Sequence, residues 1–113
     1  MNRIQEAIEA YKNVLRISPD YPNANFNLAL CLEDLDQQEH AVEEYRQALK
    51  VDDMDTNSMC NMAICLKQLG KKEEAIEQYK KALEISPNVN HIYYNLGLCY
   101  EDLKLYDKAI ESY

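Results

Sequence analysis

Hydrophobic residues recur along the chain at intervals of three and four positions, the spacing that places them on one face of an α-helix. Between residues 23 and 35, for example, the apolar positions include Phe26, Ala29 and Leu32. Short polar segments separate the stretches that have this spacing. The pattern predicts helices over 3–17, 23–35, 39–51, 57–69, 72–85 and 91–103, with a further helix from Tyr106 onward.

Proline marks the ends of two of these helices. Pro19 and Pro87, each preceded by a serine, follow the first and the fifth predicted helix. Proline cannot continue a helix because it lacks a backbone N–H and clashes with the preceding turn. Pro22 and Thr56 suit the start of the helices that follow. The chain is therefore predicted to be all α-helical, with short turns between its helices.

The whole pattern repeats every 34 residues. One column of the repeat is occupied by Tyr11, Tyr45, Tyr79 and Tyr113, and an alanine precedes each of these tyrosines by four positions, at Ala7, Ala41, Ala75 and Ala109. Several independent columns in one register are a strong sign of a repeat array. Each period contains two helices, a first and a second, and such a pair buries its apolar face only by stacking on its neighbours.

Small side chains predict close contact between the two helices of each period. Ala29, Ala63 and Gly97 form one column on the first helices, and the alanine column just described lies on the second helices. Tyr45 and its equivalents then fill the space toward the next period. Burial of such a side chain stabilises the fold by roughly 1.5–3 kcal/mol.

The first-helix pattern Asn-x-x-Leu-Ala-x-x-Leu at 25–32 recurs as Met-x-x-Met-Ala-x-x-Leu at 59–66 and Tyr-x-x-Leu-Gly-x-x-Tyr at 93–100. With the Ala-x-x-x-Tyr of the second helices, it resembles the tetratricopeptide repeat across essentially the whole chain. The resemblance implies an all-α, right-handed α-solenoid of antiparallel helix pairs that binds other proteins. The departures are mild, since the usual leading tryptophan is replaced by other residues at 25, 59 and 93.

The register predicts one continuous array: a partial repeat at 1–21 with only a second helix, repeats at 22–55 and 56–89, and a truncated repeat at 90–113. Neither end has the polar capping helix with which such arrays finish, so we expect the chain to be a stretch of a longer one. Self-association is predicted through apolar residues at the two ends, which are Ile4, Ile8 and Tyr11 at one and Leu105, Ile110 and Tyr113 at the other.

Composition and charge narrow the function. The 113 residues carry a formal net charge of −8, which disfavours nucleic acid and anionic membranes because both require a cationic footprint, and favours basic partners. No apolar run approaches the ~18 residues that span a bilayer. The sequence has no glycine-rich phosphate loop and no nucleophile elbow, and its two histidines are isolated. We therefore predict no enzymatic activity and no cofactor.

Four cysteines raise the question of a metal site or a disulfide. Cys31, Cys65 and Cys99 are 34 residues apart, so they are copies of one structural position. Equivalent helices of successive repeats lie at least ~10 Å apart, beyond the ~7 Å limit for a disulfide. Cys60 stands alone, and no histidine has ligand spacing to a cysteine. We predict small buried hydrophobes and no metal site, in a reducing compartment such as the cytoplasm, with the nucleus left open as an alternative.

In the tetratricopeptide family the first helices line a concave groove, and the resemblance places the candidate binding residues there. An amide both donates and accepts, so a stacked row of amides can hold the backbone of an extended peptide, while apolar columns take its side chains and an acidic end favours its Lys or Arg. The amide column is Asn27, Asn61 and Asn95; the apolar columns are Phe26, Leu30, Ile64, Tyr94 and Leu98; Asn23, Asn57 and His91 lie at the helix starts, and Glu101 at an acidic end.

The row of asparagines resembles the asparagine ladder in the repeat arm of O-linked N-acetylglucosamine transferases, which holds substrate peptides by their backbone. Asparagine is also common at this place in the wider family, so a structural role stays open. The leading interpretation is a non-catalytic protein–protein interaction module that binds a peptide or partner segment in the groove. The alternatives are a substrate-recruiting arm of a larger enzyme, such as a glycosyltransferase, and an architectural segment of a multiprotein assembly.

Overall fold

The computed structural model describes residues 3–102. Within this range the chain forms six helices and no strand: α1 Arg3–Ile17, α2 Ala24–Asp34, α3 Gln38–Val51, α4 Thr56–Gln68, α5 Lys72–Ile85 and α6 Asn90–Asp102. The predicted all-α fold is confirmed, and each of the six predicted helices begins and ends within one residue of an observed helix. The further helix predicted from Tyr106, and the apolar end at Leu105, Ile110 and Tyr113, lie outside the described residues.

Consecutive helices make the main contacts of the fold, from α1 with α2 through to α5 with α6. The resulting body measures 47 × 27 × 18 Å, and it is elongated because each helix contacts chiefly its neighbours along the chain. This is a helical-repeat solenoid. The first helices of the predicted periods are α2, α4 and α6, and the second helices are α1, α3 and α5.

Small residues lie where the helices approach most closely. Ala29, Ala41, Ala63 and Ala75 have no exposed surface, so the backbones of the paired helices are in contact distance and any larger side chain would overpack. Tyr45 and Tyr79 on the second helices are also fully enclosed, with 0% and 1% of their surface exposed. The equivalent Tyr11 on α1 is only half-buried.

The turns after α2 and α4 occupy the same place in the repeat but differ in sequence. Gly70 follows α4 with φ 82°, and Asp36, which lies 34 residues earlier, has φ 58°. This left-handed conformation is natural for glycine and costs free energy for a residue with a Cβ.

At the other end of α4, Asp55 accepts hydrogen bonds from the backbone N–H of Ser58 at 3.2 Å and from its hydroxyl at 2.6 Å, which fixes the start of the helix.

The cysteines are free thiols, and they are not equally buried. Cys65 and Cys99 are fully buried, as predicted for small hydrophobes, whereas Cys31 and Cys60 are only half-buried. For Cys31 and Cys60 the prediction of burial is therefore wrong. Cys65 on α4 reaches Glu33 on the preceding first helix, while no described helix occupies the corresponding position beside Cys31.

Candidate functional site

The first-helix surface, which we define as the face of α2, α4 and α6 that carries the predicted binding residues, begins with a polar recess. The recess lies between the starts of α2 and α4. The structure brings four predicted residues together there, and a fifth lining residue, Asp55, was not predicted. The lining residues are Asn23, Phe26, Asn27, Asp55 and Asn57.

The three asparagines of the predicted amide column are all half-buried, but they do not share one environment. The Asn61 side chain hydrogen-bonds the hydroxyl of Tyr45 on α3. The side chains of Asn27 and Asn95 form no hydrogen bond with another residue in the range 3–102. Two amides of the column are therefore open to a ligand, and the middle one is engaged by Tyr45.

Glu33 organises the interior next to Asn61. The Tyr45 hydroxyl donates a hydrogen bond to the Glu33 carboxylate, and the Cys65 thiol bonds the same carboxylate. Burial, followed by the bond to Glu33 and its charge, raises the pKa of Tyr45 far above its ordinary value. Burial and then the charge of Glu33 raise the pKa of Cys65 to about 12. Both groups are neutral near pH 7, so Glu33 is a structural acceptor and Cys65 is not a thiolate nucleophile.

The apolar columns are partly open to solvent. Leu30 and Ile64 each expose 37% of their surface and Tyr94 exposes 59%, while Leu98 is half-buried. Phe26 is also half-buried, and its ring packs edge-on against the Tyr45 ring with a centroid distance of 5.8 Å. These side chains offer a row of apolar contacts beside the two available amides.

The remaining predicted residues lie at the ends of the first helices. Asn57 and His91 are exposed at the starts of α4 and α6, and Asn23 is exposed just before α2, with its backbone in the left-handed region at φ 66°. Glu101 is exposed near the end of α6. Its counterpart Glu33 points inward, so the acidic character expected at this edge of the surface is weaker than the sequence indicates.

A second recess, which the sequence did not predict, adjoins the first. It lies between the turn before α2 and the end of α3. Asn25 is 7% exposed and lines it. A signal was available, because Asn25 is a short polar residue in a column whose other members, Met59 and Tyr93, are large.

A metal-binding cluster, a membrane-spanning helix or a reactive thiol would each be recognisable among the described residues. Within residues 3–102, no three His, Cys, Asp or Glu side chains come together as a metal site would require, and none of the helices there is long and apolar enough to cross a membrane. Amides, apolar side chains and carboxylates dominate. Burial raises the pKa of Cys31 and Cys60 as well as that of Cys65, which makes all three thiols poor nucleophiles at neutral pH.

Paired helices, enclosed alanines at each crossing and a 34-residue period define a helical-repeat protein. A family model for the TPR repeat matches residues 1–36 and 64–104, and a tetratricopeptide repeat model matches residues 22–53. The chain belongs to the tetratricopeptide repeat family. None of the curated proteins matches the sequence significantly.

Solved structures of MamA have the same fold. Two MamA crystal structures superpose on the chain with TM-scores of 0.92 and 0.93 at 23% identity, over 96% of this chain and 60% and 64% of theirs. MamA from Desulfovibrio magneticus RS-1 superposes with a TM-score of 0.88 at 18% identity, over 96% of this chain and 62% of its own. At these identities the likeness shows the fold alone. The chain spans about 60% of the length of these MamA chains.

Proposed function

We propose that the chain is a non-catalytic protein-binding module that holds an extended segment of a partner along the first-helix surface. The observation that carries this proposal is the pair of half-buried amides, Asn27 and Asn95, that bond no other described residue. Because no enclosed side-chain nitrogen or oxygen in the described residues lacks a partner, the polar atoms of both amides are open to solvent and can meet a ligand. A peptide backbone offers both the acceptor and the donor that an amide side chain needs.

The apolar residues between the amides support this reading. Leu30, Ile64 and Tyr94 are exposed large hydrophobes on the same helices. Successive side chains of an extended peptide point to opposite sides, so alternate residues of the segment contact these columns while its backbone contacts the amides. The asparagine ladder of O-linked N-acetylglucosamine transferases is the model for this arrangement, with Asn61 as the position that departs from it because Tyr45 already engages its side chain.

The charge of the module favours a basic segment. The net charge is −8, and Glu101 is exposed near the end of α6. Long-range attraction of this kind accelerates association with a cationic partner and weakens at high salt. Binding is therefore expected to fall as ionic strength rises.

The architectural alternative has an observation of its own. Ile17, at the end of α1, and Met54, in the turn between α3 and α4, expose 79% and 59% of their surface. An architectural partner that covers the turns would be insensitive to Phe26→Ala and Leu98→Ala, whereas a groove ligand would be weakened by both. If the chain is the substrate-recruiting arm of a larger enzyme, the same two variants test only whether that arm binds its peptide in the groove.

A peptide-array screen with basic and apolar extended peptides identifies a ligand, and calorimetry on the best peptide then tests the amides. Loss of two hydrogen bonds at about 1 kcal/mol each predicts that the double change Asn27→Ala and Asn95→Ala weakens binding by about 30-fold. Helicity should be unchanged, because neither side chain bonds another described residue.

Two controls complete that experiment. Asn13→Ala removes an amide on α1, outside the first-helix surface, and should leave affinity unchanged. Asn61→Ala should lower stability because it removes a partner of Tyr45. If the double variant binds as tightly as the wild type, the proposed role of Asn27 and Asn95 is wrong.

A further inference from the structure

The recess beside Asn25, which we call the Asn25 recess, is a feature of one helix pair. It lies between the start of α2 and the end of α3 and is lined by Tyr21, Pro22, Asn25, Val51, Asp52 and Asp55, among others. In the column to which Asn25 belongs, Met59 fills its place and is only 5% exposed. Tyr93 uses its hydroxyl to donate a hydrogen bond to the backbone carbonyl of Pro87 at 3.1 Å. The shorter Asn25 side chain leaves space where a larger one would pack.

Asn25 is a largely buried residue whose amide reaches the recess. It is 7% exposed, and its side chain forms no hydrogen bond with another residue between 3 and 102. No enclosed side-chain nitrogen or oxygen in the described part of the chain lacks a partner, so the Asn25 amide must keep its contact with the open space of the recess. The amide is thus presented to a group that enters from outside.

The walls and the mouth of the recess define what that group is. Tyr21 and Val51 are apolar wall residues that expose 56% and 47% of their surface. Asp52 and Asp55 stand at the polar side, and each is already held by a backbone N–H: that of Met54 at 3.0 Å and that of Ser58 at 3.2 Å. No Lys or Arg lines the recess. A recess lined by carboxylates and by apolar side chains suits a ligand side chain with an apolar stem and a cationic head.

We propose that the Asn25 recess binds an arginine side chain of a partner protein. The guanidinium provides five N–H donors in a plane, enough for both carboxylates and the Asn25 carbonyl oxygen. Its stem packs along Val51, and its face stacks on the ring of Tyr21. A lysine carries a compact, strongly hydrated charge and cannot bond several acceptors in one plane, so arginine is the better match.

The inference rests on the proposed function only in taking the partner to be a protein. The Asn25 recess and the polar recess of the first-helix surface share Asn23, Phe26 and Asp55 among their lining residues. A segment that leaves the first-helix surface at this end therefore passes the mouth of the Asn25 recess. Arginine binding there does not depend on Asn27 or Asn95.

The probe is the peptide acetyl-Gly-Arg-Gly-amide, and its citrulline analogue, which keeps the shape and loses the charge, is the matched ligand control. Titration of the ¹⁵N-labelled chain is followed at the Asn25 side-chain amide signals, which are assigned by their absence from the Asn25→Ala spectrum. We expect saturable shifts of these signals with the arginine peptide, and at least tenfold weaker binding of the citrulline peptide.

Variants of the chain locate the site. Asp52→Asn keeps the oxygen that accepts from Met54 and removes the charge, and it should weaken binding about tenfold. Asp53→Asn makes the same change next to the recess, on a residue that does not line it, and should have no effect. Asn25→Met copies the residue of the next period and should abolish binding while the melting temperature stays the same or rises. Asn25→Ala, read by the backbone signals of Tyr21 and Val51, gives a second test of the same loss.

The outcomes separate the two proposals. The proposal that the recess binds arginine would be overturned by any of four results. These are equal binding of both peptides, equal effects of the Asp52 and Asp53 variants, retained binding in both Asn25 variants, and the absence of a saturable shift. The double variant at Asn27 and Asn95 should bind the arginine peptide normally. If the proposed function is wrong, the affinity for the peptide from the array will not depend on Asn27 and Asn95. If the arginine proposal is wrong, the binding of the tripeptide will not depend on Asn25 and Asp52.

Discussion

The α2–α3 pair and the α4–α5 pair are the two complete helix pairs of the structure, and they differ where a uniform repeat would not. Met59 fills its slot in the second pair, whereas Asn25 leaves a recess in the first. Gly70 takes a left-handed turn without strain, whereas Asp36 takes the same turn with a Cβ. The first pair thus gives up packing at Asn25 and turn stability at Asp36.

The enclosed tyrosines are the point at which the two pairs agree, and their removal has the largest expected effect. Tyr45→Ala and Tyr79→Ala should each lower the free energy of unfolding by about 3–5 kcal/mol, because each leaves a cavity in a close-packed interior. Tyr94→Ala, the same change on a side chain that is 59% exposed, should cost less than about 0.5 kcal/mol. Urea denaturation measures all three, and equal losses would contradict the packing described for the two enclosed rings.

The hydroxyl groups of the same two tyrosines have different surroundings in the two pairs. Tyr45 donates to the Glu33 carboxylate, whereas the residue 34 positions after Glu33 is Lys67, which cannot accept a hydrogen bond from Tyr79. Tyr45→Phe should lower the free energy of unfolding by about 1.5–3 kcal/mol, the range for a hydrogen bond to a charged group. Tyr79→Phe should change it by less than about 0.5 kcal/mol. A larger loss at Tyr79 than at Tyr45 would show that the Glu33 cluster does not stabilise the first pair.

Substitutions in the two turns should change the free energy of unfolding by a smaller amount, with opposite signs. Gly70→Ala should destabilise by about 1 kcal/mol, and the cost is purely that of the backbone because an added Cβ would meet nothing within 4 Å. Asp36→Gly should stabilise the chain by up to about 1 kcal/mol for the same reason. Thermal melts of the two variants test this, and a loss of stability in Asp36→Gly would mean that the Asp36 side chain has a favourable contact of its own.

The equivalent cysteines of the two helix pairs differ in exposure, and this difference can be measured without a change in stability. Cys31 on α2 is half-buried and Cys65 on α4 is fully buried. Alkylation with iodoacetamide at alkaline pH, where the half-buried thiols ionise, followed by mass spectrometry, should label Cys31 and Cys60 in the folded chain and reach Cys65 and Cys99 only after unfolding. Labelling of Cys65 at the rate of Cys31 would contradict the buried position next to Glu33.

The fold was largely predictable because it depends on periodicity. The bounds of α1 and α5 follow from the apolar spacing and from the prolines after them, and the remaining helices differ by one residue at most at each end. The enclosed alanines and tyrosines follow from the same 34-residue register. These features repeat, so each copy supports the reading of the others.

The site was less predictable because it depends on differences between copies. The sequence places Asn27, Asn61 and Asn95 in one column, but only the three-dimensional contacts show that Tyr45 engages Asn61 and leaves the other two. Glu33 looks like a surface charge in sequence, and it is an interior acceptor in the structure. Asn25 stands out in its column, although its consequence is visible only as a recess beside the end of α3.

The central claim is that a partner segment lies along α2, α4 and α6. The most direct test is a backbone chemical-shift map of the ¹⁵N-labelled chain with the best peptide from the array. The account predicts that the largest shifts fall on residues of the first helices around Asn27, Leu30, Ile64 and Asn95, with small shifts on α3 and α5. Shifts confined to the second helices or to the turns at Ile17 and Met54 would contradict it.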